Sequence, residues 1–141
     1  MSEPEAERAR HALRTGRVYD PPEAGCCRLL VDRLWPRGLT RAQAALDGWE
    51  KQAAPSTALR RWYGHDPARF AEFGARYRAE LEGSAAAAAL AEDCRRLLAD
   101  RDVLLLTATR SLAQSGAAVL CGWLAGRLGG GQQGEEQKQR P

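Results

Sequence analysis

The run LLVDRLWPRG (29–38) places Asp32, Arg33 and Arg37 within six residues of one another. An ionised carboxylate can take or orient a proton, and a guanidinium offers a planar fork of donors that grips phosphate or carboxylate. Gly38 lets the backbone approach a ligand or take a positive φ. Trp35, held extended before Pro36, can wall a pocket or plug a core. A second group follows in PSTALRRWYGHDP (55–67). Ser56 reads as the cap of a helix whose free N–H groups favour anions, with Arg60 one turn along and Trp62 near it. His65 is the residue type for general acid–base work near neutral pH, and Asp66 stands beside it to orient the ring. The third group, TATRSLAQSG (107–116), supplies Thr109, Arg110, Ser111 and Ser115 as it leaves an apolar run. On residue type, Asp32 and His65 are the candidates for proton transfer. The arginines, Ser56, Thr109 and Ser115 are the candidates for holding an anion.

Each group also has a plainer reading. Asp32 could pair with Arg17 or Arg60 and pin a strand, because a buried carboxylate needs a partner or a shifted pKa. Ser56 could cap an ordinary helix, His65 could be a solvated loop histidine, and Arg37 a solvated turn residue. The chain has no GxSxG elbow, no P-loop and no GxGxxG, so nucleophile-elbow hydrolysis and those modes of nucleotide binding find no support. The four cysteines, Cys26, Cys27, Cys94 and Cys121, form no CxxC pair and have no histidine at metal-ligand spacing. They read as free thiols of a cytoplasmic protein, with no metal site. No cofactor can be named from these residues.

Of the 21 basic residues 19 are Arg, yet the net charge is only +3, all of it within residues 17–128. That is far from the dense basic stripe of a dedicated nucleic-acid binder, so a nucleic-acid partner ranks last. A small anionic ligand fits the arginines better. The N-terminal MSEPEAERARHALRTG has no apolar stretch of a secretory signal, and no apolar run reaches the ~18 residues of a membrane span. The sequence is silent on oligomeric state.

The elements that must position these groups follow from periodicity. Residues 1–16 read as a flexible arm and 129–141 as a disordered tail. RVYD (17–20) and CCRLLVDRLW (26–35) read as strands, the second buried on both faces. In that second strand Leu30, Asp32 and Leu34 share one face, and Val31, Arg33 and Trp35 the other. Ser56 caps one helix. Asp66 and Pro67 open another, with Phe70, Phe73, Tyr77 and Leu81 on one face. AAAAALAEDCRRLLAD is a strong helix former, DVLLLTAT (102–109) a second core strand, and LAQSGAAVLCGWLAGRL a last helix. Helices between buried strands predict one small three-layer α/β domain over 17–128, a mostly parallel sheet of three or four strands flanked by helices. The first and third groups then leave core strands at the carboxyl edge of the sheet, where such folds bind ligands.

RVYD, LLVDRLWPRG, LDGWEKQAAPSTALRRWYGHDPARFAEFGARYRAEL and LLLTATRSLAQSGAAVLCGWL together resemble the DUF488 family, in particular its YeaO-like branch, from about Arg17 to Leu128. The resemblance implies a small cytosolic bacterial α/β protein and brings no function with it. Asp32, Arg33, Arg37, Ser56 and Arg60 match the family pattern. Members of that branch usually carry an acidic or amide residue and then Asn-His-Ala after the last strand, where this chain reads Ser115-Gly116-Ala117. Two readings remain open: an anion pocket with degenerate catalysis, or a regulatory or nucleic-acid-associated module with none.

Overall fold

The computed structural model describes residues 11–128. They form a wholly parallel four-stranded sheet in the order β1-β4-β2-β3, with β1 at Leu13–Arg17, β2 at Cys26–Leu30, β3 at Gly48–Trp49 and β4 at Asp102–Thr107. The helices are α1 (Arg41–Ala44), α2 (Thr57–Tyr63), α3 (Phe70–Glu82), α4 (Ala85–Leu97) and α5 (Gly116–Arg127). The α/β class read from periodicity is the class observed. Among the described residues no helix is long and apolar enough to cross a membrane.

The two apolar runs explain the layering. Side chains alternate along a strand, so Cys27, Leu29, Val103 and Leu105 enter one core with Leu59, Phe73, Tyr77, Leu90, Cys94 and Leu120 from α2 to α5. Leu30, Leu104 and Leu106 enter a smaller core with Val18 and Ala44, closed by Trp35, Leu39, Leu46 and Trp49. The three layers are therefore unequal: four helices cover one face, and α1 with the chain around it covers the other. The helix starts lie where capping residues stand. Ser56, Ser84 and Ser115 each accept an N–H two or three residues into α2, α4 and α5, and Asp66 does so for the 3-10 turn leading into α3.

Several boundaries differ from the sequence reading. The first strand is LRTGR (13–17) and not RVYD, so the arm expected over 1–16 gives up residues 13–16 to the sheet. Its amino end is held by Asp102, which accepts the Ala12 N–H at 2.8 Å and pairs with Arg14 at 3.2 Å. Residues 1–10 and the tail 129–141 lie outside the described residues. The strand expected over 26–35 ends at Leu30, and the one over 102–109 ends at Thr107. The alternation proposed for Asp32 and Arg33 thus stops before it reaches them.

The thin layer is fastened by a residue that periodicity treats as an anomaly. Arg28, in the middle of β2, is 3% exposed. Its guanidinium donates to the carbonyl of Ala44 at 2.8 Å, Ala45 at 3.2 Å and Val18 at 3.2 Å. Its backbone N–H donates to Asp47 at 2.8 Å. A buried cation is tolerable when carbonyl dipoles surround it, and here those carbonyls belong to the segments that follow β1 and α1. Arg28→Met keeps the apolar stem and strips the carbonyls of their donor. The expected loss in unfolding free energy is about 3 kcal/mol, read from the urea midpoint. An unchanged midpoint would show that Arg28 does not hold this layer.

Candidate functional site

The chain ends of β1, β2 and β4 open into one cleft of about 910 Å³ at the carboxyl edge of the sheet. Arg17 and Tyr19 come from the end of β1, Val31 to Arg37 from the loop after β2, and Ala108 to Ser111 from the loop after β4. Arg60, Tyr63 and His65 reach it from α2 and its end, and Gln114, Ser115 and Gly116 from the start of α5. Such a crevice is where open parallel sheets bind ligands, because neighbouring strand ends send their loops outward there.

Asp32 sits at the floor. It lies just past β2 and reaches sideways over the end of β4. Thr107 Oγ1 donates to its Oδ1 at 2.7 Å, and the Ala108 N–H donates to its Oδ2 at 2.8 Å. Thr107 Oγ1 in turn accepts the Thr109 N–H at 3.0 Å. The ion pair with Arg17 or Arg60 is not formed; the carboxylate spends its oxygens on β4 instead. Burial pushes the Asp32 pKa above the usual carboxylate value. The Ala108 and Thr107 bonds, and the nearby His65, pull part of the way back.

The structure brings together Asp32, Arg33, Trp35, Arg37, Arg60, His65, Thr109 and Ser115, all of them lining the cleft. It does not bring in three other candidates. Gly38 takes φ 78° in its turn but does not line the cleft. Ser56 caps α2 through Leu59 N and donates to Glu80 at 2.6 Å, so an internal carboxylate already occupies that helix start. Trp62 stands away from the cleft under the guanidinium groups of Arg69 and Arg76, at 5.2 and 4.4 Å. Asp66 does not orient His65: its carboxylate accepts the Ala68 N–H at 3.0 Å and faces Arg69 at 3.7 Å.

Other residues serve the site indirectly. Arg33 donates to the carbonyls of Pro55 at 3.0 Å and Ala54 at 3.3 Å, which ties the loop after β2 to the approach to α2. Trp35 is a plug, donating to Leu39 O at 2.7 Å and packing edge-on against Trp49. Ser115 is 1% exposed, and its hydroxyl donates to Leu112 O at 2.7 Å and accepts the Ala118 N–H. Gly116 is crowded: a Cβ there would stand 3.3 Å from Pro55 Cγ and 3.6 Å from Tyr77 Cε2. His65 follows Gly64 in the left-handed region, with φ 58°. That conformation costs a non-glycine residue roughly 1–2 kcal/mol and commonly marks functional loops.

Sequence reasoning gave Arg17 only the role of an ion-pair partner and passed over Tyr19. The signal was present. Arg17 and Tyr19 are two residues apart at the end of an edge strand, and the carboxyl-edge rule applied to β1 would have placed both at the cleft.

Five arginines line the cleft against one carboxylate: Arg17, Arg33, Arg37, Arg60 and Arg110. Among the described residues none of the five stands in salt-bridge range of a carboxylate, while Arg14, Arg69, Arg76, Arg95 and Arg96 do.

The raised pKa of Asp32 fixes the sign of its pH effect. The folded state prefers the protonated acid, so stability is fullest below the ordinary carboxylate pKa of 3.8. It is lost as pH rises from there through the higher folded value. Asp32→Asn should flatten that fall in a series of urea midpoints between about pH 4 and 7. Asp32→Ala should cost about 2–3 kcal/mol at neutral pH, because Thr107 and Ala108 lose their acceptor. A pH profile identical in Asp32→Asn and the parent chain would overturn the assignment.

Known proteins bear on this arrangement. Residues 12–141 match the DUF488-N3i family, described as the inactive DUF488-N3 subclade. The uncharacterised proteins Rv3073c of Mycobacterium tuberculosis and Mb3100c of Mycobacterium bovis are each 46% identical over 117 residues, 82% of this chain and 95% of theirs. The uncharacterised protein YeaO of Escherichia coli is 40% identical over 113 residues, 77% of this chain and 92% of its own. No solved structure matches the chain. The family resemblance carried by VDRLWPRG and the PST–HDP segment therefore holds, and the chain belongs to the DUF488 family, YeaO-like, in its DUF488-N3i branch.

Proposed function

We propose that this protein binds a small anionic ligand, a phosphate or carboxylate compound, in the carboxyl-edge cleft, and does not turn it over. One observation carries the reading. Among the described residues, two buried side-chain polar atoms lack a hydrogen-bond partner, Arg17 Nε and Arg60 Nε. Both arginines line the cleft. Buried donors are almost always satisfied, and those that are not call for a missing partner. Two guanidinium donors from different elements, beside three more arginines with no carboxylate in salt-bridge range, call for an anion.

The groups that would do chemistry are engaged elsewhere. Both Asp32 oxygens hold β4, and the Ser115 hydroxyl is spent in a cap. His65 has lost Asp66 to Ala68 and Arg69. By the family resemblance, Gly116 stands where members of the YeaO-like branch usually carry histidine. The family's description as inactive agrees with this. Four free thiols fit a reducing, cytoplasmic setting. A nucleic-acid partner ranks behind a small ligand, because the unpaired cations converge on one cleft and not along a stripe.

Thermal-shift measurements with phosphate, pyrophosphate and citrate test the reading. A binder present at a hundredfold over its Kd should stabilise the fold by about 2.7 kcal/mol. Arg60→Ala and Arg37→Ala should each weaken that gain without unfolding the chain. If no anion raises the melting midpoint, the cleft is not an anion site.

A further inference from the structure

Two large apolar side chains are exposed among the described residues, Tyr19 at 40% and Leu34 at 58%. Both line the cleft that holds the two unpartnered Nε atoms. Scattered singly on a surface, such side chains need no explanation. Here they come from the loops after two different strands and meet at one opening.

Tyr19 is also held in place. Its hydroxyl donates to Arg37 O at 2.9 Å, which ties it to the loop that carries Leu34. The Arg17 guanidinium carbon stands 5.0 Å from its ring centroid, so one face is covered by a cation. Arg17 is itself fixed, donating to Ala108 O at 3.1 Å. The ring is thus pinned through its hydroxyl and backed on one face, while the residue keeps its 40% exposure. An aromatic fixed beforehand loses little freedom when a flat partner stacks on it. The apolar jaw and the cationic interior call for a ligand with the same two halves.

Resting on the anion-binding reading above, we infer that the ligand carries a flat ring beside its anionic group, the chemistry of an aryl or nucleoside phosphate. The ring lies against Tyr19 and Leu34, and the anion faces Arg17 and Arg60. Tyr19 and Leu34 then set specificity, while the arginines set affinity for charge.

Titration calorimetry on the full chain tests this with four probes: inorganic phosphate, ribose 5-phosphate, phenyl phosphate and adenosine 5′-monophosphate. The two ring-bearing probes should bind about ten- to hundredfold more tightly than the two without a ring. Tyr19→Leu, which keeps apolar bulk and removes the flat face, should erase that preference, bringing the four probes to within a few-fold of one another. Tyr19→Phe should retain most of it, and Leu34→Ala should reduce it; melting midpoints report that each variant is folded. A single-stranded decanucleotide distinguishes the source of the ring. Binding tighter than the mononucleotide, with a steep salt dependence, points to a strand, and weaker binding points to a free metabolite. Equal affinities for all four small probes, each weakened by Arg60→Ala, would overturn the ring inference and leave the anion site standing. Binding of none of them would remove both.

Discussion

The carboxyl edge of this sheet depends on one carboxylate. Asp32 leaves the end of β2 and takes two donors from the end of β4, the Thr107 hydroxyl and the Ala108 N–H. A buried carboxylate is costly, and its raised pKa records that cost. The arrangement persists because it satisfies a strand end that would otherwise point unpaired donors into a cleft. It also fixes direction. Once Asp32 turns toward β4, Arg33 comes within reach of the Ala54 and Pro55 carbonyls, and the Asp32 carbonyl accepts the Trp49 indole N–H at 2.7 Å. The loop after β2 is held by β4 on one side and by the approach to α2 on another, so its Arg37 and Leu34 are presented from a rigid base.

The charge pattern follows from what this base leaves free. The start of α2 is a natural anion site, but Glu80 fills it from α3 through the Ser56 N–H and hydroxyl. On the proposed reading, anion recognition at the cleft therefore falls to side chains and not to a helix end. Several arginines are partly engaged by carbonyls, as Arg17 is by Ala108 and Arg33 by Pro55. A carbonyl fixes the fork without neutralising it, so each arginine is oriented while its full charge remains. Five cations around one cleft repel one another, and the proposed anion would relieve that repulsion.

Much of the scaffold was legible in the sequence, because apolar periodicity and helix caps are local signals. CCRLL and DVLLLT read directly as core strands, and Ser56 and Asp66 read as helix starts. Strand ends were less legible. LLVDRLW looks like a continuing strand, and only the tertiary pull of Thr107 and Ala108 on Asp32 shows that it stops at Leu30. The first strand was misplaced for a similar reason. LRTGR has little β character of its own and becomes a strand by pairing along β4, where a Cβ at Gly16 would stand 3.3 Å from Leu106 Cδ2. Side-chain partners were the least legible. Nothing local says that Ser56 faces Glu80 or that Arg28 turns to backbone carbonyls.

These partnerships separate binding from catalysis. A general base must be able to give up its resting contacts, and Asp32 would surrender the fastening of β4 if it moved. A nucleophilic serine needs a base and a free hydroxyl, whereas the Ser115 hydroxyl both donates and accepts within the turn that starts α5. Gly116 next to it is packed against Pro55 and Tyr77, so a large side chain there requires the neighbouring wall to yield. The strained His65 remains at the rim, close enough for its charge to act on Asp32. It lines the cleft without the orienting carboxylate that general acid–base catalysis would use. On the proposed reading, the cleft's arginines hold a ligand still, while Asp32, Ser115 and Asp66 are committed to structure.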